Sequence, residues 1–328
     1  MKVSQHTEQV INKFAEMMIK RMEEMKNNKW EKGWIGSNYG AGPVNLEGVG
    51  YRGVNAFMLT WGCMEQNYEY PIFCTLKQAN KLGARILKGA QSLPIIFWDF
   101  CYFLHGKKLS SDQFRKLPVE QQSECTRYPF LKCYTVFNIE QTNLAEKHPD
   151  KLAKLYSLFA STASSDDSGM YVNAALDKML QEQTWLCPIH YKRASNGAYY
   201  SPSKDVVVVP KKSQFRTGAN ADEVYKDGQE YYATLIHELI HSTAPKDRLN
   251  RKTGKKFGDE GYATEELVAE LGAARCGQIL GFDKRILDNN AAYLDAWISS
   301  LRKDPMYIMT IMSDVEKASR MILQHLAA

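Results

Sequence analysis

Residues 234–244 read TLIHELIHSTA, and in them His237, Glu238 and His241 stand in the order H-E-x-x-H. On an α-helix, positions i and i+4 share a face, so both imidazoles can reach one ion. Neutral imidazole suits zinc, and a catalytic Zn2+ takes three protein ligands while keeping one position for water. Glu238 directly follows the first histidine, where the general base for that water belongs. Leu235, Ile236, Leu239 and Ile240 occupy the neighbouring positions, which predicts a buried helix and a dry site.

A third ligand is sought downstream. The stretch YATEELVAELGAARCG (262–277) reads as a second helix, spanning 262–280 and closed by Gly281. Glu266 and Glu270 lie one turn apart on one face of it. Glu266 is expected to be the third ligand, and Glu270 to hold the ring N–H of a ligand histidine, a contact such sites need. Glu265 is the neighbouring rival; its plainer reading is a solvated acid favoured by the helix dipole.

Upstream, IHYKRASNGAYYSPSKDVVVVP (189–210) reads as a hairpin turning at Asn196-Gly197, with a further strand ending at Pro210. The VVVVP run (206–210) could be an edge strand that pairs with extended substrate, but a core strand is the simpler reading. The first helix of the motif is expected over about 222–244, and residues 290–326 read as helical again.

The first half is organised differently. Val10, Ile11, Phe14, Met17, Met18 and Met22 recur at helical spacing, so residues 4–29 read as one amphipathic helix with Ser4 or Thr7 as N-cap. The Gly-rich stretch KWEKGWIGSNYGAGPVNLEGVGYRGVNAFML reads as loops and short strands. TLKQANKLGARILKG (75–89) suggests a short helix and a turn, and 93–104 and 131–142 read as β-rich runs on either side of a charged excursion at 105–128. The Ser/Asp-rich break at 161–169 interrupts helical pattern over 146–185 and marks a domain boundary.

Composition narrows the setting. The 328 residues include 42 Lys/Arg and 37 Asp/Glu, for a net charge of +5, and 19 basic against 15 acidic residues put +4 of it in residues 1–150. That surplus is too mild to establish a nucleic-acid partner alone. Seven scattered cysteines without a CxxC pair argue against a disulfide framework or a Cys-rich zinc module, and fit a reducing cytoplasm. The N-terminal residues carry no secretory h-region, and no apolar run is long enough to span a bilayer.

Trp30, Trp34, Tyr51, Arg52, Asn55, Lys77, Lys88, Phe97 and Trp98 interleave aromatic, basic and polar groups with glycines. Rings beside cations suit single-stranded nucleic acid, because bases stack on the rings while Lys and Arg follow phosphates. From spacing alone these aromatics read first as the core of a small domain.

The wording and order of several segments carry a resemblance. These are KWEKGW, GYRGVNAFML, FCTLKQANKLGARILKG, PIIFWDF, YTVFNIEQT, GAYYSPSKDVVVVP, YYATLIHELIHSTAPKDRLNR, YATEELVAELGAARCGQILG and AAYLDAWISSLRKD. Across nearly its whole length the chain resembles ArdC-type antirestriction proteins. The resemblance implies an N-terminal domain that binds single-stranded DNA and a C-terminal zincin-like metallopeptidase domain. It also implies a setting on plasmids, phages or conjugative elements, where incoming DNA is protected from host restriction. The chain departs from the family where H-W-T-G-H is usual: here the residues are His241, Ser242, Thr243, Ala244 and Pro245.

The expected fold is therefore α+β, with a single-stranded-DNA-binding domain at 1–145, a helical connection at 146–188 and the zincin-like domain at 189–328. The expected partners are single-stranded DNA and a protein substrate such as a host restriction factor, with no membrane. The competing expectation is a non-catalytic DNA-binding protein whose zinc is structural.

Overall fold

In this computed structural model, residues 5–27, 41–159, 164–254, 260–282 and 291–327 are described. Helix α1 (Gln5–Asn27) opens the chain, followed by β1 (Val44–Asn45), α2 (Gly53–Gln66), β2 (Ile72–Cys74) and α3 (Leu76–Lys81). A long hairpin comes next: β3 (Leu93–Leu104), a tip containing β4 (Lys107–Leu109), α4 (Ser111–Arg115) and α5 (Val119–Glu124), and then β5 (Thr126–Asn138). Short helices α6 (Leu144–Lys147), α7 (Pro149–Tyr156) and α8 (Ala174–Glu182) lead to β6 (Ile189–His190), β7 (Tyr199–Ser201) and β8 (Val206–Val208). The chain ends in α9 (Ala221–Ser242), α10 (Glu260–Leu280), α11 (Ala291–Lys303) and α12 (Tyr307–Leu326). No helix among the described residues is long and apolar enough to cross a membrane.

The α+β expectation holds. One sheet runs β1-β2-β5-β3-β4, the other β6-β8-β7. The large core joins one face of α1, through Phe14, Met18 and Met22, to Leu235 and Leu239 of α9 and to Leu267 and Leu271 of α10. α1 also links the two halves by polar contacts. Thr7, inside the helix and not capping it, donates to the Leu131 carbonyl of β5, while Lys26 and Glu23 pair with Asp295 and Arg302 of α11.

Three local expectations are corrected. The Gly-rich stretch is not all loop, because Gly53–Gln66 is the helix α2. Val54 to Cys63 are all buried, so the helix is enclosed on every side and shows no amphipathic period in sequence. The turn at Asn196-Gly197 does not join two paired strands. β6 pairs with β8 in parallel, and the hairpin is instead β7 with β8, closed where Asp205 takes a left-handed conformation (φ 47°). β8 is therefore paired on both sides, which is the core-strand reading of VVVVP and leaves it no free edge. Finally, the excursion at 105–128, whose charge and polarity suggest an insertion loop with little core of its own, carries β4, α4 and α5, with Phe114 as its buried anchor.

Candidate metal centre

α9 is capped by Asn220, whose side chain accepts from Glu223 N at 3.0 Å. From Tyr231 to Ile240 every residue of it is buried, because α10 and α12 pack along it. This holds His237 and His241 one turn apart with their Nε2 atoms 3.1 Å from each other. α10 lies against that face and brings Glu266 in, with Oε2 3.6 Å from His237 Nε2 and Oε1 3.5 Å from His241 Nε2. Ligand atoms of His237, His241 and Glu266 all lie within 4.8 Å of one another, so the trio could hold a divalent cation.

The distances fit that use. Two ligands about 2.0–2.1 Å from a tetrahedral zinc stand about 3.3–3.4 Å apart, close to the separations here. Two ring nitrogens this close, with a carboxylate at hand, need a proton or a cation between them. Burial alone would lower the His237 pKa, but Glu266 and Glu270 beside it raise it to about 10. Glu266 shows the other half of the same interaction: burial pushes its carboxyl up, yet the two histidines hold it below its ordinary range.

The far side of each imidazole meets a second carboxylate. Glu270 Oε1 lies 3.2 Å from His237 Nδ1, and Glu265 Oε1 lies 3.2 Å from His241 Nδ1. The His241 contact is a hydrogen bond that favours a hydrogen on Nδ1 and leaves Nε2 as the ligating atom, while Glu270 stands as a carboxylate beside the far side of the His237 ring. Glu265, weighed from sequence as a ligand or a solvated acid, does neither in this geometry. It is buried and forked by Arg251, with Nε 2.9 Å from Oε2 and Nη2 2.5 Å from Oε1. Burial pushes the Glu265 carboxyl up, and Arg251 and His241 outweigh it, leaving it low. Glu238 is 8% exposed and sits next to His237 on α9.

Arg251 is the residue that motif reading missed. It lies ten residues past His241 in a loop, and charge alone gives no sign of its target. It also donates to Thr243 Oγ1 (2.6 Å) and to the Ile240 carbonyl (2.9 Å). Arg248 similarly reaches the Ser242 carbonyl at 2.5 Å, and Asp205 at 2.6 Å. Ser242 Oγ accepts from Trp185 Nε1 at 2.9 Å. Ser242 and Thr243 thus anchor the end of α9.

The first-half candidates are not brought together in the same way. Asn55 is buried and exchanges two hydrogen bonds with the Ile96 backbone (2.7 and 2.8 Å), which makes it a structural clamp. Tyr51 packs edge-on against Phe73 at 6.3 Å, and burial pushes its hydroxyl pKa up to about 12. Arg52, Lys77 and Lys88 are exposed. Trp30 and Trp34 lie outside the described residues, and so does the side chain of Trp98.

Against known families, residues 8–137 match the N-terminal domain of anti-restriction factor ArdC, and residues 175–314 match a zincin-like metallopeptidase. The chain belongs to the ArdC-type proteins. Its structure is similar to that of the antirestriction ArdC protein from the R388 plasmid in metal-free form, at 25% identity, 97% coverage of both chains and a TM-score of 0.68. The Mn(II)-bound form of that protein gives a TM-score of 0.66 at 23% identity, with 97% of this chain and 98% of that one covered. In sequence, this ArdC-type chain is 31% identical to a DNA primase TraC of Escherichia coli over 94% of its own length, but it spans only 27% of that primase. It is 28% identical to the uncharacterized protein y4eC of Sinorhizobium fredii (strain NBRC 101917 / NGR234), covering 84% of this chain and 78% of that one.

Proposed function

We propose that this protein protects incoming mobile-element DNA from host restriction, binding single-stranded DNA through its first half and a divalent cation through its second. His237, His241 and Glu266 would be the ligands, Glu270 and Glu265 the groups that orient the two rings, and Glu238 the general base. The reading is carried by the convergence of three ligand atoms within 4.8 Å, two of them on the helix that also carries Glu238 and the third on the helix packed against it. Two imidazoles and one carboxylate favour zinc, although the Mn(II)-bound relative keeps manganese in view. A cation bound there would supply Lewis acidity and a water of lowered pKa. Glu238 would take a proton in peptide hydrolysis, with a protein, such as a host restriction factor, as substrate. The stretch 146–188 is the connection between the DNA-binding and zincin-like parts.

Metal analysis of the purified protein tests the centre, and Glu238→Gln tests the chemistry. The folded variant should keep its metal and lose both peptide cleavage and protection in DNA-transfer assays. If protection survives Glu238→Gln, and also His237→Ala despite loss of stability in the second half, the metal is structural and DNA occupancy does the protecting.

A further inference from the structure

β3 and β5 pair from Leu93–Val136 outward to Phe103–Thr126. Directly opposed residues of an antiparallel pair share a face. The register therefore puts Phe97, Phe103, Tyr128, Lys132 and Tyr134 on one face, and β4 adds Lys108 opposite Phe103. The inner end of this face is core: Ile95 and Val136 pack with Leu59 and Phe73. Further out it is open, with Phe97 43%, Tyr128 57% and Tyr134 41% exposed. On the opposite face Phe100 is also 41% exposed, but its neighbours are covered. There Ile96 and Leu131 join the large core, and Tyr102 is stacked on Phe114 of α4 with centroids 3.9 Å apart.

The bare rings are held in place. Phe97 meets Tyr134 edge-on at 6.0 Å, and Phe103 meets Tyr128 at 5.6 Å. Lys132 Nζ stands 5.0 Å over the Tyr134 ring and 3.8 Å from Asp99, which keeps its charge beside the aromatic row. Asn55 clamps the strand at Ile96, the residue before Phe97. Tyr128 and Tyr134 are six residues apart on β5, about 20 Å along the strand, so the Tyr128 ring and the Phe97–Tyr134 pair can meet different bases of one strand.

We infer that this face of the β3–β5 ribbon is the platform on which single-stranded DNA lies, its bases stacked on Phe97, Tyr128 and Tyr134 and its phosphates beside Lys132 and Lys108. The inference rests on the single-stranded-DNA reading proposed above and assigns its surface. Unpaired bases fit because each has a ring face to offer, and the exposed cations complement phosphate charge. The period-two series Tyr128, Phe130, Lys132, Tyr134 is the signal of this face in the sequence, and of the residues singled out there Phe97 lies on it.

The test is fluorescence anisotropy with a labelled 20-mer oligodeoxythymidylate, run on the full chain over a salt series. Wild type should prefer the single strand to duplex. Tyr128→Ala and the triple Phe97→Ala/Tyr128→Ala/Tyr134→Ala should weaken binding, the triple by about tenfold or more. Tyr128→Phe/Tyr134→Phe should retain it, because the rings remain. Lys132→Gln should lower the salt slope by about one. If wild type binds and both Tyr128→Ala and the triple bind equally well, the platform is overturned while the DNA reading stands. If wild type binds no single strand, both fall. Tighter binding of the matching oligouridylate, or loss of binding in the phenylalanine pair, also overturns the assignment.

Discussion

Glu265 Oε1 lies 3.2 Å from His241 Nδ1, and the same carboxylate is forked by Arg251. Neighbours in sequence, Glu265 and Glu266 thus face opposite sides of one imidazole. Glu266→Gln should remove tight metal binding, whereas Glu265→Gln should weaken it by about tenfold to a hundredfold. It should also lower stability, because the Arg251 side chain, only 4% exposed, would keep a charge with no carboxylate to face. Competition with a chromophoric chelator checks the first effect, and thermal melting the second. Retention of metal by Glu266→Gln with its loss in Glu265→Gln would reverse the ligand assignment.

Chelation should lower the thermal midpoint without abolishing the cooperative transition. A ligand at about a thousand times its dissociation constant contributes about 4 kcal/mol to the folded state. Its removal leaves His237 and Glu266 side by side, 7% and 11% exposed, but a proton on the imidazole can take the cation's place. Melts with and without chelator measure the shift. Complete unfolding on chelation would show that the metal holds the second half together.

Asn55→Ala should destabilise the protein by about 1–3 kcal/mol, because it strands the buried amide and carbonyl of Ile96. At temperatures where the variant is folded, its affinity for single-stranded DNA should stay near wild type, since the side chain faces the backbone of β3 and not the solvent. Denaturant titration and anisotropy separate the two effects. A loss of affinity with unchanged stability would return Asn55 to the DNA surface.

How much was legible depended on whether a residue's partner lies close in sequence. His237, Glu238 and His241 sit on one helix, and Glu266 and Glu270 on the next, so helical periodicity was enough to place them on facing surfaces. Glu265 reads as a solvated acid until Arg251 is seen to curl back onto it from the loop between the helices. The same limit explains α2. Its ten consecutive buried positions erase the amphipathic signal, and Gly62 within it allows Leu93 to pack close. The aromatic residues divide by register, which no composition argument supplies: Phe97 and Tyr134 share the open face only because Phe97 pairs with Lys132.

Gly228 provides a case in which two opposed effects can be ranked. It lies within α9, where replacing glycine by alanine should gain about 1 kcal/mol from helix propensity. A Cβ there would stand 2.8 Å from the Tyr171 carbonyl oxygen and closer still to the Tyr171 amide. Those atoms are backbone, and Tyr171 is fixed further by its hydroxyl donating to the Leu280 carbonyl at 3.0 Å and by edge contacts to Tyr225 and Tyr232. The segment therefore has little room to retreat, and overpacking of this kind costs about 1–3 kcal/mol or more. The clash should win. Gly228→Ala is expected to lower the thermal midpoint and, because α9 also carries His237, to weaken metal retention. If the variant melts higher than wild type with its metal intact, residues 170–171 yield to the added methyl and propensity decides the sign.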